Sequence, residues 1–270
     1  MSAGRHTLCT GWPWTAAAMA VLGFLYAPIV VMVVLSFNTS HVLGLPMEGF
    51  TLDWYFRFLG NEDVVESIVN GTLVAVACVV VSIGFGLPAA MALDRFEFPG
   101  KAIFRRIVLL PLILPGVTTG VALLNFFVLA NVPMSLWTIV TGVGTALIAV
   151  AITEIFARLQ QIGRSQEEAA LNLGATHFEV FLRITLPNIA SAVAGAALIA
   201  FAIAFDELAA TYLLTGRDVT LPMQLWSMIR REVTPEINAI ASAVLTVSLV
   251  LLVAGMWLSR GAQLRGTRAA

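Results

Sequence analysis

Two adjacent acids, Asp206 and Glu207, close a long apolar run and have Phe201, Phe205 and Tyr212 near them in sequence. A carboxylate offers charge complementarity and aromatic rings offer cation–π attraction, so the grouping suits an amine. Counted from Pro187 at about 1.5 Å per residue, the acids lie roughly 29 Å along a helix. That places them near the far interface, where an ordinary solvated acid pair is an equal reading on position alone. Adjacent helical positions point about 100° apart, so at most one of the two can face a common path squarely. A second polar set, Thr118, Thr119 and Asn125, follows Pro111 and Pro115 in another apolar run. Two prolines four apart remove ladder hydrogen bonds and predict a kinked or broken helix. Broken helices tend to line cavities, because freed backbone groups need partners. Close packing by small residues is the alternative reading of the same stretch.

Other chemistries find little support. Cys9 and Cys78 lie far apart, His6, His41 and His177 are scattered, and no CxxC or HExxH spacing occurs. A disulfide framework or a zinc site is therefore not expected. The single lysine, Lys101, follows Gly100, but position 95 is Arg95, so the GxxxxGK phosphate loop is absent. The expectation is a chain with no catalytic residues, no metal and no cofactor of its own, and with no basic surface for nucleic acid.

The elements that carry these residues follow from composition. The chain has 270 residues, 59% of them hydrophobic and only 11% charged, with a net charge of −1. Soluble domains carry about 25% charged residues, which argues for an all-α membrane protein. A bilayer core of about 30 Å takes about 20 apolar residues per helix. Six apolar runs satisfy that, at about 16–37, 68–93, 107–130, 136–157, 189–214 and 237–258. The first is too long for a signal peptide and reads as a retained helix. With six spans both termini share a side. That side holds Arg5, Arg95, Lys101, Arg105, Arg106, Arg158, Arg164, Arg183, Arg260, Arg265 and Arg268, whereas Arg57, Arg217, Arg230 and Arg231 lie opposite. The imbalance predicts cytoplasmic termini. Glu154 then falls at the cytoplasmic interface, with Arg158 as its expected i,i+4 partner. Residues 1–270 read as one transmembrane domain.

Of the two long connections, 158–188 is cytoplasmic in this scheme and 215–236 external. Thr234-Pro235-Glu236 reads as an N-cap, a proline at the first helical position and an early acid, opening the last helix. In the cytoplasmic connection, Ser165 and Glu168, and again Thr176 and Glu179, have capping-box spacing. Gly174 suits the position just past a helix end, and Pro187 is expected to stop a helix. Two short helices, about 166–173 and 177–185, should be joined by a tight turn. Ala169, Ala170, Leu173 and Phe178 then need a surface to bury against.

Glu168-Ala169-Ala170, Gly174, Ile184, Leu186 and Pro187 resemble the EAA-x3-G-x9-I-x-L-P loop of permease subunits in bacterial ATP-binding-cassette (ABC) importers. Tyr26-Ala27-Pro28-Ile29, Ser36-Phe37-Asn38, Trp54-Tyr55, Gly100-Lys101, Phe205-Asp206-Glu207, Leu221-Pro222 and Pro235-Glu236-Ile237-Asn238 extend the likeness over most of the chain. They resemble the second permease subunit of spermidine/putrescine-type importers. The resemblance implies a type I permease fold in the bacterial cytoplasmic membrane. It implies that 165–187 forms a coupling helix against a dimeric ATPase, which binds the ATP and magnesium. It implies that a second permease, in this subfamily a different chain, and an external substrate-binding protein complete the assembly. It also favours Asp206 and Glu207, Asp206 first, together with Phe205, Tyr212, Thr118, Thr119 and Asn125, as substrate-pathway residues. In one respect the chain departs from its subfamily. Polyamine permeases usually carry an acid directly after the proline matching Pro115, and here that residue is Gly116. The missing charge leaves room for a zwitterion such as an opine or an aminophosphonate. A stand-alone ion-coupled transporter is the rival from another class, and it would need an intramembrane charge network and usually inverted repeats.

Overall fold

The structure is a computed structural model that describes residues 12–40, 44 and 46–266, with side chains described between residues 14 and 250. Arg5, His6, Cys9, His41 and Arg268, used above to orient the chain and to exclude metal chemistry, lie outside the described residues. The described chain is helical, and its one β-bridge pairs Asn38 with Phe50. In order, the helices are α1 (Trp12–Leu35), α2 (Asp53–Leu59), α3 (Glu62–Arg95), α4 (Lys101–Val108), α5 (Leu110–Ile113), α6 (Gly116–Leu129) and α7 (Leu136–Gln161). They continue with α8 (Ser165–Asn172), α9 (His177–Val180), α10 (Leu186–Asp206), α11 (Ala209–Leu214), α12 (Leu221–Arg231) and α13 (Pro235–Gly266).

Four helical stretches are long and apolar enough to cross a membrane: Trp14–Leu35, Glu62–Arg95, Leu136–Gln161 and His177–Asp206. A fifth candidate is a bent pair, Lys101–Ile113 with Gly116–Leu129, which turns through 102°. The bend follows from Pro115. The residue before a proline is driven out of the helical region. Leu114 (ψ 132°) and Pro115 (ψ 137°) are accordingly extended between α5 and α6. The expected break thus occurs at the second proline, while Pro111 sits harmlessly in the first turn of α5.

The chain divides into two compact units, residues 62–227 and the two flanking segments. In the larger unit, α3, α7 and α10 pack together, with α6 and α11 against them. One core cluster holds Val74, Cys78, Ile139, Val143, Leu147, Ala204 and Leu214. A second holds Ala90, Leu93, Ile152, Ile155, Leu159, Ile189 and Ala196. Lipid offers no hydrophobic gain for helix association, so close approach through small residues carries more weight here. Gly86 shows it, since a Cβ there would come 2.5 Å from Ala151 Cβ across the α3–α7 contact.

In the smaller unit the linker after α1 is pinned by side chains. Trp54 Nε1 donates to the Asn38 carbonyl (2.7 Å), Asn38 Oδ1 accepts from the backbone N–H groups of Ser40 and Glu48, and Phe37 stacks on Phe50. The last helix begins at Pro235, as the Thr-Pro-Glu sequence predicts.

Three local expectations are corrected. Pro187 does not end a helix. The backbone passes from α9 through a π-helical turn, Phe181–Thr185, directly into α10, with Pro187 in its first turn. A π-turn shifts the hydrogen-bond register and accommodates a residue that has no N–H to give. The 189–214 run is not continuous either: α10 stops at Asp206, Glu207 is extended (ψ 109°), and α11 resumes at Ala209. Finally, Arg158 does not pair with Glu154. Its Nη1 donates to Gln161 at 3.3 Å while Glu154 is exposed, consistent with the small worth of exposed i,i+4 ion pairs.

Candidate functional site

Two helix breaks meet in the larger unit. The break between α5 and α6 brings Gly116 against the break between α10 and α11, so that a Cβ on Gly116 would stand 3.2 Å from Glu207 Oε1. A cavity of about 260 Å³ opens here, lined among others by Pro111, Leu114, Gly116, Thr119, Ile203 and Glu207. Its wall is otherwise mostly aliphatic, and α7 contributes Val143, Leu147 and Val150. Glu207 Oε1 also accepts from the Ala210 backbone N–H at 2.9 Å, which caps α11 and holds the carboxylate in place. A half-buried carboxylate in an apolar wall attracts a cation more strongly than one in bulk water, because the local dielectric is lower.

The structure distributes the anticipated pathway residues unevenly. Glu207 and Thr119 line the cavity. Asp206, one residue earlier and still helical, is exposed and not part of the lining, whereas Glu207 lies in the break after α10. Phe205 stacks with Phe201 (5.8 Å between centroids) and packs 3.6 Å from the Cβ position of Gly71 on α3, so its ring serves the helix contact. Tyr212, Thr118 and Asn125 are exposed and outside the cavity lining.

At the other end of α10 the 165–187 segment is a built device. α8 ends in a Schellman motif: Gly174 has φ +92°, its N–H donates to the Leu171 carbonyl, and Ala175 N–H donates to the Ala170 carbonyl. Two residues later Thr176 and Glu179 form a reciprocal capping box that starts α9, with Thr176 N–H donating to Glu179 Oε2 at 2.9 Å. The first capping box does not form. Arg164 occupies the N-cap of α8, Ser165 is already helical, and no side chain caps that end. Glu168, Ala169, Gly174 and Pro187 are exposed, Ala170, Ile184 and Leu186 half-buried. Leu173 (89% exposed) and Phe178 (69%) project from the turn with none of the described residues over them. A residue the sequence reading passed over, Glu167, faces inward and bonds to Arg95 and Thr185. The signal was present as an adjacent acid pair on a short helix, of which only one member could point outward.

A helical membrane permease is what this fold and its exposed two-helix loop define. The sequence model of the binding-protein-dependent transport system inner membrane component matches residues 67–263, and the chain belongs to that family. It is a permease subunit of an ABC importer. Among curated proteins it is similar to the putrescine transport system permease protein PotI of Escherichia coli (strain K12), 36% identical with 94% of this chain and 93% of that one covered. It is also similar to the spermidine/putrescine transport system permease protein PotC of the same strain, 28% identical over 242 residues, 89% of this chain and 91% of that one. Of solved structures, a bacterial alginate ABC transporter in complex with alginate pentasaccharide-bound periplasmic protein shares the fold, with a TM-score of 0.70 at 16% identity, covering 93% of this chain and 94% of that one. The relatives are bacterial transport permeases, consistent with an inner-membrane location.

Proposed function

We propose that this permease carries a small cationic or zwitterionic nitrogenous solute of the polyamine class, and that Glu207 is the carboxylate its ammonium group meets. The observation that carries the reading is the juxtaposition of Glu207 with Gly116 at the two helix breaks. Polyamine-type permeases usually carry an acid at the Gly116 position. Here Glu207 brings a carboxylate to the same spot from the break after α10, so the site keeps its charge although the sequence position has lost it. An acid at both places would force two carboxylates together and raise the pKa of one. The names of the similar permeases, spermidine/putrescine and putrescine, support the same substrate class. An opine or aminophosphonate is the second reading, favoured by the presence of a single acid in the cavity lining.

The rest of the assembly follows the family's logic. The whole chain, 1–270, acts as one transmembrane domain of six spans with both termini in the cytoplasm, beside a second and different permease. An external binding protein delivers the solute, and a dimeric ATPase takes up the exposed 165–187 segment. Glu168, Ala169, Ala170, Gly174, Ile184, Leu186 and Pro187 form or shape that contact, and Leu173 and Phe178 supply its apolar knob. ATP binding in the partner shifts the permease pair between inward- and outward-facing populations, with no bond made or broken in this chain.

Uptake of radiolabelled putrescine by the reconstituted importer tests the site. Glu207→Gln keeps an acceptor oxygen for the Ala210 N–H but removes the charge. It should lower uptake about tenfold or more, the equivalent of roughly 1.4 kcal/mol. Asp206→Asn should change it less than about twofold. Adding Gly116→Asp to Glu207→Gln should restore part of the activity. Equal, wild-type uptake by both single variants would retire the carboxylate, and competition by an opine but not by putrescine would select the second reading.

A further inference from the structure

The end of α3 and the base of α10 are tied to α8 by one small ionic cluster. Arg95 Nη2 donates to Glu167 Oε1, and Arg95 Nη1 stands 3.2 Å from Asp94 Oδ2. Arg164, at the start of α8, donates to the Asp94 carbonyl and lies 3.8 Å from its carboxylate. The Glu167 oxygen that meets Arg95 also accepts from Thr185 Oγ1 at 2.7 Å, inside the π-turn that feeds α10. A further tie runs from Asn188 Nδ2 to Gln166 Oε1 at 3.2 Å. The side chains of Asp94, Arg95 and Glu167 are only 11, 16 and 13% exposed. Charges so sheltered hold their partners firmly, because separating them leaves an uncompensated charge in low dielectric.

This geometry divides the labour of two adjacent acids. Glu168 faces out, whereas Glu167 faces in and joins α8 to both α3 and the root of α10. We propose that Glu167 and Arg95 are positioning residues that lock α8 to α3 and α10, so that a displacement of α8 moves the two core helices as one body. The idea rests on the coupling role given above to 165–187. α3 and α10 pack on each other and on α7 through fully buried small residues, Ala75, Ala90, Ala151, Ala196 and Ala200. Such an interior is stiff and passes on a shift instead of absorbing it. α10 then carries the motion about 30 Å, at 1.5 Å per residue, to its other end beside Glu207. Without the lock α8 would yield separately, held to α10 by the backbone of the turn and the exposed Asn188–Gln166 hydrogen bond.

Pulsed electron-spin distances in the assembled importer, embedded in lipid nanodiscs, test the lock directly. Spin labels are placed at Phe96→Cys and Asn172→Cys, exposed positions outside the proposed ATPase contact, in a Cys9→Ser background. Cys78 is buried and escapes labelling. The expected result is one narrow distance that changes by less than about 2 Å between the nucleotide-free and the ATP–vanadate-trapped states, as a rigid-body motion requires. Arg95→Gln or Glu167→Gln should broaden it, and the exchange Arg95→Glu with Glu167→Arg should narrow it again. A merely structural role would not give that rescue. Should Arg95→Gln fail to assemble, Thr185→Val removes one hydrogen bond at nearly constant volume and should broaden the distance to a smaller degree. A wild-type distance that moves by more than about 5 Å on trapping, one helical turn, would overturn the proposal. So would equal widths in wild type and the glutamine variants. Cross-linking of Ala169→Cys to the ATPase is read separately: its absence in every state counts against the coupling role and leaves the measured rigidity standing.

Discussion

Gly174 shows how one residue type can decide a local structure. With φ at +92° it sits where a Cβ costs about 1–2 kcal/mol, yet a Cβ there would meet nothing within 4 Å. Gly174→Ala therefore strains the backbone and nothing else, and Gly174→Asn should be milder because asparagine tolerates this region. Amide exchange at Gly174 and Ala175 should quicken about five- to thirtyfold in the alanine variant and less in the asparagine one. If alanine and glycine exchange alike, the Schellman turn does not govern the end of α8. The Thr176–Glu179 box and the start of the last helix at Pro235 were legible in sequence for the same reason as Gly174: each is settled by hydrogen bonds and sterics over a few neighbouring residues. The failed Ser165–Glu168 box had the same spacing. Its Arg164 is drawn toward Asp94 on another helix, and the helix starts one residue early.

At the scale of elements, the contact of α3 with α7 offers a sharp comparison. Gly84 and Gly86 stand two positions apart on α3, but a Cβ at 84 meets open space while one at 86 would collide with Ala151 at 2.5 Å. Gly84→Ala should raise thermal stability in detergent slightly, by up to about 1 kcal/mol, through helix propensity. Gly86→Ala should lower it by about 1–3 kcal/mol through overpacking. Matching melting temperatures for the two would mean the helices are less intimately packed than described. The prolines make the complementary point. That Pro111 and Pro115 would interrupt a span could be read from the chain, but not that one would bend it by 102° and the other leave a helix start undisturbed. Pro187 was misread because proline's local effect can be relieved by a π-turn, a remedy no composition rule announces.

For the whole molecule, the distribution of charge makes a topological prediction. Eleven basic residues on one proposed face and four on the other put 95–101 in the cytoplasm and 131 and 217 outside. In cells, an impermeant maleimide should label Asn131→Cys and Arg217→Cys from the exterior and reach Glu97→Cys only after the membrane is opened. External labelling of Glu97→Cys would reverse the orientation. Within the larger unit, the site beside Glu207 and the ionic cluster at Glu167 lie at opposite ends of α10, which makes that helix the natural connection between them.

By itself the sequence determined that the chain is helical and apolar enough to cross a membrane, that its 165–187 segment carries two short exposed helices, and the family to which it belongs. Those properties reside in composition and in short-range patterns that survive any packing. Only the tertiary structure decided that Glu207 and not Asp206 reaches the cavity, that its carboxylate stands where Gly116 has none, and that Glu167 is bound to Arg95 at a separation of 72 residues. The reason is geometric. Which way a side chain points around its helix, and which distant partner it then meets, depends on how helices are rotated and broken against one another, and that is fixed by packing far from the residue in question.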